Sequence, residues 1–247
     1  MERRRGTTLE SMVLAALLER FDDGTYREGT QLPTEKELAE QFEVSLTPVR
    51  RAMQQLENVN LIQRRAGQGT FVLPEPLRYD LRLMTSTTGS LRKLGADFSV
   101  RVVTHEFARV TDSDAATHGF TINSRAFHLK RLIDLDDRPS ILLESWVASR
   151  AMPPQPDIEY FTRGGSLFSL MKENGAHQYH ATGHVRVHSL NLEEATLFAF
   201  PFGTGLLELT SANFDVDHAI LDYSRSLYDS SRISLELDRT EGPDELS

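Results

Sequence analysis

The stretch from Pro33 to Val72, "PTEKELAEQFEVSLTPVRRAMQQLENVNLIQRRAGQGTFV", constrains the fold more than any other part of the chain. Thr34, followed three residues later by Glu37, forms a capping box that starts a helix, and Leu38, Ala39 and Phe42 supply its buried face. After "EVS", Val49, Ala52, Met53 and Leu56 recur at i, i+3, i+4 and i+7 and predict a second helix beginning near Ser45–Thr47. Pro48 is acceptable there because it falls in the first turn, where its missing N–H costs nothing. The inward set leaves Thr47, Arg50, Arg51, Gln54 and Gln55 on the outer faces. "LIQRRAGQGTFVL" then alternates and turns at Ala66-Gly67-Gln68-Gly69, predicting a hairpin with Arg64 and Arg65 at its base. Its glycines permit positive φ and close backbone approach to a neighbouring surface. Upstream, Leu9, Met12, Val13, Ala16 and Leu17 give Thr8–Phe21 helical spacing.

Two short helices joined by a tight turn, then a hairpin, make a winged helix-turn-helix. Arg can pair with phosphate or bind guanine bidentately, and Gln can read adenine, so the outward residues suit duplex DNA. The charge distribution is compatible with this. The chain carries a formal net charge of −9, but residues 1–78 hold 11 Lys and Arg against 12 Asp and Glu, leaving 16 against 24 for residues 79–247. A near-neutral segment presents a basic face when its acids lie on the other side. Asn58 and Asn60 fall near the helix end, where Asn tolerates the left-handed cap conformation.

A chain of 247 residues has room for one large domain or two ordinary ones. It contains no cysteine, which excludes disulfides, thiolate metal sites and a cysteine nucleophile and is compatible with a reducing cytoplasm, the expected location. The longest apolar run, Met12–Leu18, is too short to span a bilayer. Glu10 and Glu19-Arg20 interrupt any signal-peptide core, so this segment reads as a helix of the mature protein.

Beyond the connector "LPEPLRYD", alternating runs read as strands: "FSVRVVTHEFARV", "RAFHLKRLIDL", "SILLESWVAS", "HVRVHSL", "GLLELTSANFDV" and "AILDYSRSLYD". Turn-like "LDDRP" and "DVDHA" join successive runs and imply antiparallel hairpins. Helical patterns interrupt them at "TGSLRKLG", "TDSDAATHGF", "SLFSLMKENG" and "NLEEATLFAF", giving an α+β domain built on an antiparallel sheet. The expected division is residues 1–73, a connector at 74–80, a second domain at 81–238 and a disordered tail at 239–247. No G-x-S-x-G, G-x-G-x-x-G, P-loop or H-E-x-x-H is present, so neither an enzyme nor a cofactor is expected. His184 and His188 would share a strand face near His177 and His180. Without a carboxylate at matching spacing, ordinary strand or pocket histidines are expected there rather than a metal site.

The stretch from Gly29 to Val72, and residues 8–73 as a whole, resembles the winged-helix domain of GntR-family bacterial transcriptional regulators. That resemblance implies DNA contacts from Lys36, Ser45, Thr47, Arg50 and Gly67, beside the Arg51, Gln54, Arg64 and Arg65 read from the residues. Two positions depart from the family pattern: Leu46 stands where Arg is common, and Asn60 where Gly usually closes the helix. Residues 80–238 resemble the effector-sensing UTRA domain of the HutC subgroup, with a fold like chorismate lyase. The stretches that carry this are "LKRLIDLDDRPSILLESWV", "ILDYSRSLYDSSRISLEL" and "TSTTGSLRKLG"; the last two, with "ENGAHQY" and "SANFDVD", lean towards the phosphonate-type regulators.

The chemistry fits a small anionic or phosphorylated ligand. Ser86, Thr87 and Thr88 precede a short helix, where hydroxyls and backbone N–H groups can gather around an anion. The resemblance adds an anion-binding Arg131, Asp222 for hydroxyl or amine groups, and Tyr228. Glu144 is a further candidate, one residue past Leu143, the position where relatives often carry an acid. The implied protein is a homodimeric repressor of a pseudo-palindromic operator, switched by a metabolite. Two other readings differ in what they predict: a lyase-like enzyme would turn its ligand over, and a ligand-independent DNA-binding protein would show no effector response.

Overall fold

The computed structural model describes residues 8–80 and 86–237, so the expected tail at 239–247 lies outside the described residues. The chain divides into two compact units, one ending at Pro76 and one starting at Leu77.

In the first unit, α1 (Leu9–Asp22) is capped by the Thr8 hydroxyl, which accepts from the Ser11 N–H at 3.1 Å. After the short β1 (Gln31–Leu32), α2 (Glu35–Gln41) carries the full capping box. The Thr34 N–H donates to Glu37 Oε2 at 2.7 Å, and the Glu37 N–H returns to Thr34 Oγ1 at 3.3 Å. Glu43, at φ 54°, makes the left-handed step of the turn, and α3 (Leu46–Asn58) follows. Asn60 takes the left-handed conformation beyond its end, at φ 57°. β2 (Ile62–Arg65) and β3 (Gly69–Val72) form the hairpin, completed by β1 in the order β1-β3-β2. Gly67, at φ 72°, lies at its tip. The core joins Val13 and Leu17 of α1, Leu38 of α2, Ile62 of β2, and Val49, Ala52, Met53 and Leu56 of α3. The side of α3 that periodicity assigned to the interior is therefore the side that is buried, each such Leu or Val contributing about 2 kcal/mol.

The second unit begins with β4 (Leu77–Asp80) and is built around six antiparallel strands. α4 (Thr87–Lys93) leads to β5 (Phe98–Arg109), and α5 (Asp112–His118) to the hairpin of β6 (Arg125–Leu135) and β7 (Arg138–Ala148). α6 (Ile158–Thr162) and α7 (Leu167–Glu173) precede β8 (His180–Ser189); α8 (Leu192–Phe198) precedes β9 (Gly205–Phe214) and β10 (Ile220–Tyr228). The strand order is β5-β6-β7-β10-β9-β8. One face packs Ile133, Ile141, Leu143 and Tyr228 in a single cluster; the other packs Leu132, Leu142 and Leu227 against Ala195 and Phe198 of α8.

The connector read as 74–80 is shorter than that. Leu77–Asp80 pairs in parallel with β11 (Ile233–Glu236) as a separate two-stranded sheet. Tyr79 is buried there against Tyr228, with ring centroids 5.8 Å apart. An alternating apolar tetrapeptide next to prolines finds its strand partner about 150 residues downstream, which leaves no local signal. Among the described residues, no helix is long and apolar enough to cross a membrane.

Candidate functional site

The first unit turns a polar face outward from α3. Ser45 caps the helix without a side-chain hydrogen bond, and Ser45, Leu46, Thr47, Arg50, Arg51 and Gln54 are all exposed, as is Lys36 at the start of α2. The arginines differ in how they are held. Arg50 donates Nε to Glu35 at 2.9 Å, while Arg51 lies 3.5 Å from Glu10. Arg65 stacks over Phe71, 4.7 Å from its ring centre, beside the exposed Gly67. Arg64, read from the sequence as an outward contact, is engaged with Glu57 at 2.7 Å, Gln54 at 3.0 Å and Glu35 at 3.1 Å. Its position at the foot of the hairpin, facing α2 and α3, brings three acceptors within reach.

In the second unit, strand register sorts the ligand candidates. Arg131 lies opposite Leu143, which lies opposite Ser226 of β10. Val147 lies opposite both Phe127 and Asp222, and Asp222 opposite Asn213. Arg131, Asp222 and Tyr228 therefore project from one face, where Ser145, Ser211 and Ser226 are also buried and Ser211 and Ser224 are hydrogen-bonded at 2.8 Å. Arg131 is 4% exposed; Nη1 donates to the Gly165 carbonyl at 3.2 Å, and Nε has no partner. Burial lowers its guanidinium to about 10. Asp222 is 0% exposed and neither carboxylate oxygen makes a well-formed hydrogen bond; burial pushes its carboxyl up to about 7, and the facing Asn213 amide offsets this only in part. Both ends of the Asn213 amide are buried without partners. Unsatisfied buried polar groups are costly and uncommon in folded proteins, so the Asp222–Asn213 pair, with Arg131 further along the same face, points to a ligand. Sequence reasoning missed Asn213 and the serines. Their signal is polar residues at every second position of strands whose burial demands apolar ones.

Ser86 caps α4, its hydroxyl accepting from the Gly89 N–H at 3.0 Å and lying 3.4 Å from Thr88 Oγ1. Thr88 is buried, and Thr87 is half-buried near the Tyr228 hydroxyl, whose pKa burial raises. Ser86 also lines a groove of about 420 Å³ with Ser166, Ser169, Lys172 and His177. Ser166 follows the Gly165 that accepts from Arg131.

Glu144 does not join this set. One residue along β7 reverses the side-chain direction, so it occupies the opposite face. There it accepts from His128 at 2.9 Å, a bond that lowers its carboxyl, and lies 4.0 Å from Lys130. That face holds a closed charge network: Arg225 donates to Glu208 at 2.6 Å and Glu194 at 2.7 Å, and His188 contacts Glu194 at 2.7 Å. The carboxylates around His188 come from α8 and β9 rather than from its own strand. Among the described residues, no three His, Asp or Glu side chains converge as a metal site.

The comparisons follow the same division into two units. Residues 9–72 match the profile of "Bacterial regulatory proteins, gntR family", and residues 93–234 that of the UTRA domain. Similar proteins include a probable fructoselysine utilization operon transcriptional repressor of Shigella flexneri (25% identical, 93% of this chain and 94% of that protein). The repressor PhnF of Mycolicibacterium smegmatis is 26% identical over 92% of this chain and 91% of its own. The crystal structure of PhnF from Mycobacterium smegmatis shares the fold, with a TM-score of 0.61 at 24% identity, covering 93% of this chain and all of that one. A DNA-reading module and a buried polar site on an antiparallel sheet thus coincide with two family profiles, and the chain belongs to the GntR-family bacterial regulatory proteins that carry a UTRA domain.

Proposed function

We propose that this chain is a cytoplasmic transcriptional repressor that binds operator DNA as a homodimer and is switched by a small anionic metabolite. The observation that carries the DNA reading is the division of α3: its apolar side fills the core of the first unit, while Thr47, Arg50, Arg51 and Gln54 stand exposed beside Arg65 and Gly67 of the hairpin. Two such helices related by a two-fold axis enter successive major grooves about 34 Å apart, so the operator is a pseudo-palindrome. Lys36, Ser45 and Thr47 contact the backbone, Arg50, Arg51 and Gln54 meet phosphates or base edges, and the hairpin follows the adjacent groove.

The effector is held on the second unit's sheet face. Arg131 and the Ser86–Thr88 turn suit phosphate or phosphonate; Asp222 with Asn213 suits hydroxyl or amine groups. Phosphonates, phosphorylated amino sugars and histidine-pathway acids have this chemistry. The test is to enrich a duplex from random DNA with the purified protein, then screen those classes by thermal shift. A compound that raises the unfolding temperature is expected to change duplex affinity by about 5–150-fold, the usual range of such couplings. If no duplex is enriched, the DNA reading is wrong; if a bound compound leaves affinity unchanged, the switch is wrong.

The switch passes through the connector between Leu73 and Leu77. Inserting flexible residues there is expected to preserve ligand binding, measured by calorimetry, and to abolish the ligand's effect on duplex affinity. Regulation that survives the insertion rules out this route.

A further inference from the structure

Of the two acids in the first turn of α2, Glu37 is committed to the Thr34 cap and Glu35 is not. The Glu35 carboxylate reaches across to the other elements instead. Oε2 accepts from Arg50 Nε at 2.9 Å, and Oε1 accepts from Arg64 Nη2 at 3.1 Å. Arg64 Nη1 in turn donates to Glu57 at 2.7 Å and Gln54 at 3.0 Å. One carboxylate and one guanidinium therefore join α2, α3 and the base of the hairpin.

Stability does not explain the Arg50 arm of this bracket. The Arg50 side chain is 66% exposed, and exposed ion pairs contribute little to folding. An acid on a surface that meets phosphates also works against binding, unless it does something else there. Building on the DNA-binding reading above, we propose that Glu35 is a positioning residue: it fixes the Arg50 fork for base reading and holds Arg64 as a strut between α3 and the hairpin.

A guanidinium has five N–H donors in one plane. With Nε held by Glu35, the exposed Arg50 guanidinium keeps its two terminal nitrogens available as a pair whose plane that bond restrains. Bidentate recognition of guanine O6 and N7 needs that aim, whereas a phosphate contact needs mainly the charge. Removing the acid therefore frees the charge and loses the orientation. Arg64, with both terminal nitrogens engaged by Gln54, Glu57 and Glu35, sets the hairpin against α3 instead of reaching the duplex.

The test compares Glu35→Gln and Glu35→Ala with the wild-type protein on the enriched duplex and on a scrambled duplex of equal length. Single guanines are also replaced by 7-deazaguanine, which lacks the N7 acceptor. Both variants are expected to lower the specific-to-scrambled affinity ratio by about tenfold, the scale of one bidentate base contact. Scrambled-duplex affinity should hold or rise, and the thermal midpoint should barely move. The wild-type protein should be sensitive to one 7-deazaguanine per half-site, and Glu35→Ala should lose that sensitivity. An equal fall on both duplexes, an unchanged ratio or undiminished 7-deazaguanine sensitivity would overturn the role of Glu35 alone. Failure of the wild-type protein to enrich any duplex would overturn the DNA reading with it.

Discussion

Arg50→Glu is expected to weaken binding to the enriched duplex by about a thousandfold, measured by fluorescence anisotropy at fixed salt. The proposed two-fold-symmetric complex would lose the contact twice, and a good bidentate contact is worth about 1–3 kcal/mol. The substitution also places a carboxylate in each half-site next to Glu35, which then has no Arg50 to pair with. The fold should tolerate it. Arg50 is exposed, while the neighbouring Val49 and Met53 that fill the core are untouched. A surface change of this kind usually moves stability by less than about 0.5 kcal/mol, so a thermal melt serves as the control. Salt dependence of the uncharged Arg50→Gln separates the two roles open to Arg50. Loss of a phosphate contact lowers the slope of log K against log salt by about 0.9 per phosphate, whereas loss of a base contact leaves it nearly unchanged. The role assigned to Glu35 requires the second outcome. Undiminished duplex affinity in Arg50→Glu would remove α3 from the interface.

The winged helix was legible because every signal in it is local. Capping at Thr34, the i, i+3, i+4, i+7 run of Val49 to Leu56 and the Gly67 turn each act within a few residues, and each has its expected structural counterpart. The six sheet strands were legible for a related reason: each is at least nine residues long, enough for a run of strand-forming side chains to show locally. What the sequence hid was non-local. The parallel pairing of Leu77–Asp80 with Ile233–Glu236 depends on chain reversal through the whole second unit, and five-residue α6 is too short to show a period. The same limit shaped the ligand site. Parity within β7 is enough to put Glu144 and Leu143 on opposite faces. Placing Arg131, Asp222 and Asn213 on one face requires the order β6-β7-β10-β9, which alternation within a strand does not encode. The contacts of Arg64 show the same limit. A guanidinium at a hairpin base reads as free until Glu35, Glu57 and Gln54 are seen to converge on it.

Asp222→Asn is expected to stabilise the ligand-free second unit by about 4 kcal/mol at pH 8 relative to its effect near pH 4. The carboxyl is raised by burial from 3.8 to about 7, and a factor of ten in proton affinity corresponds to 1.36 kcal/mol. The sign follows from proton counts. Between about pH 4 and 7 the unfolded chain releases this proton while the folded protein keeps it, so folded-state stability falls as pH rises through that window. Above about pH 7 the folded protein releases it too and is left with a buried carboxylate that the adjacent Asn213 amide offsets only in part, so the penalty is complete. Asparagine never ionises. Any fixed cost of burying its amide is independent of pH, which makes the difference between the two pH values the diagnostic quantity. The sole tryptophan, Trp146, lies in the second unit and is stacked on His128, so the midpoint of its fluorescence change in urea reports this unit specifically. Parallel pH profiles for the two proteins would mean that Asp222 is paired in solution. A polar site left open for a cationic or hydroxyl group would then no longer explain the cluster. Profiles that diverge between about pH 4 and 7, and converge again when an effector is bound, would show that the carboxylate is kept unpaired in the free protein because the effector supplies its partner.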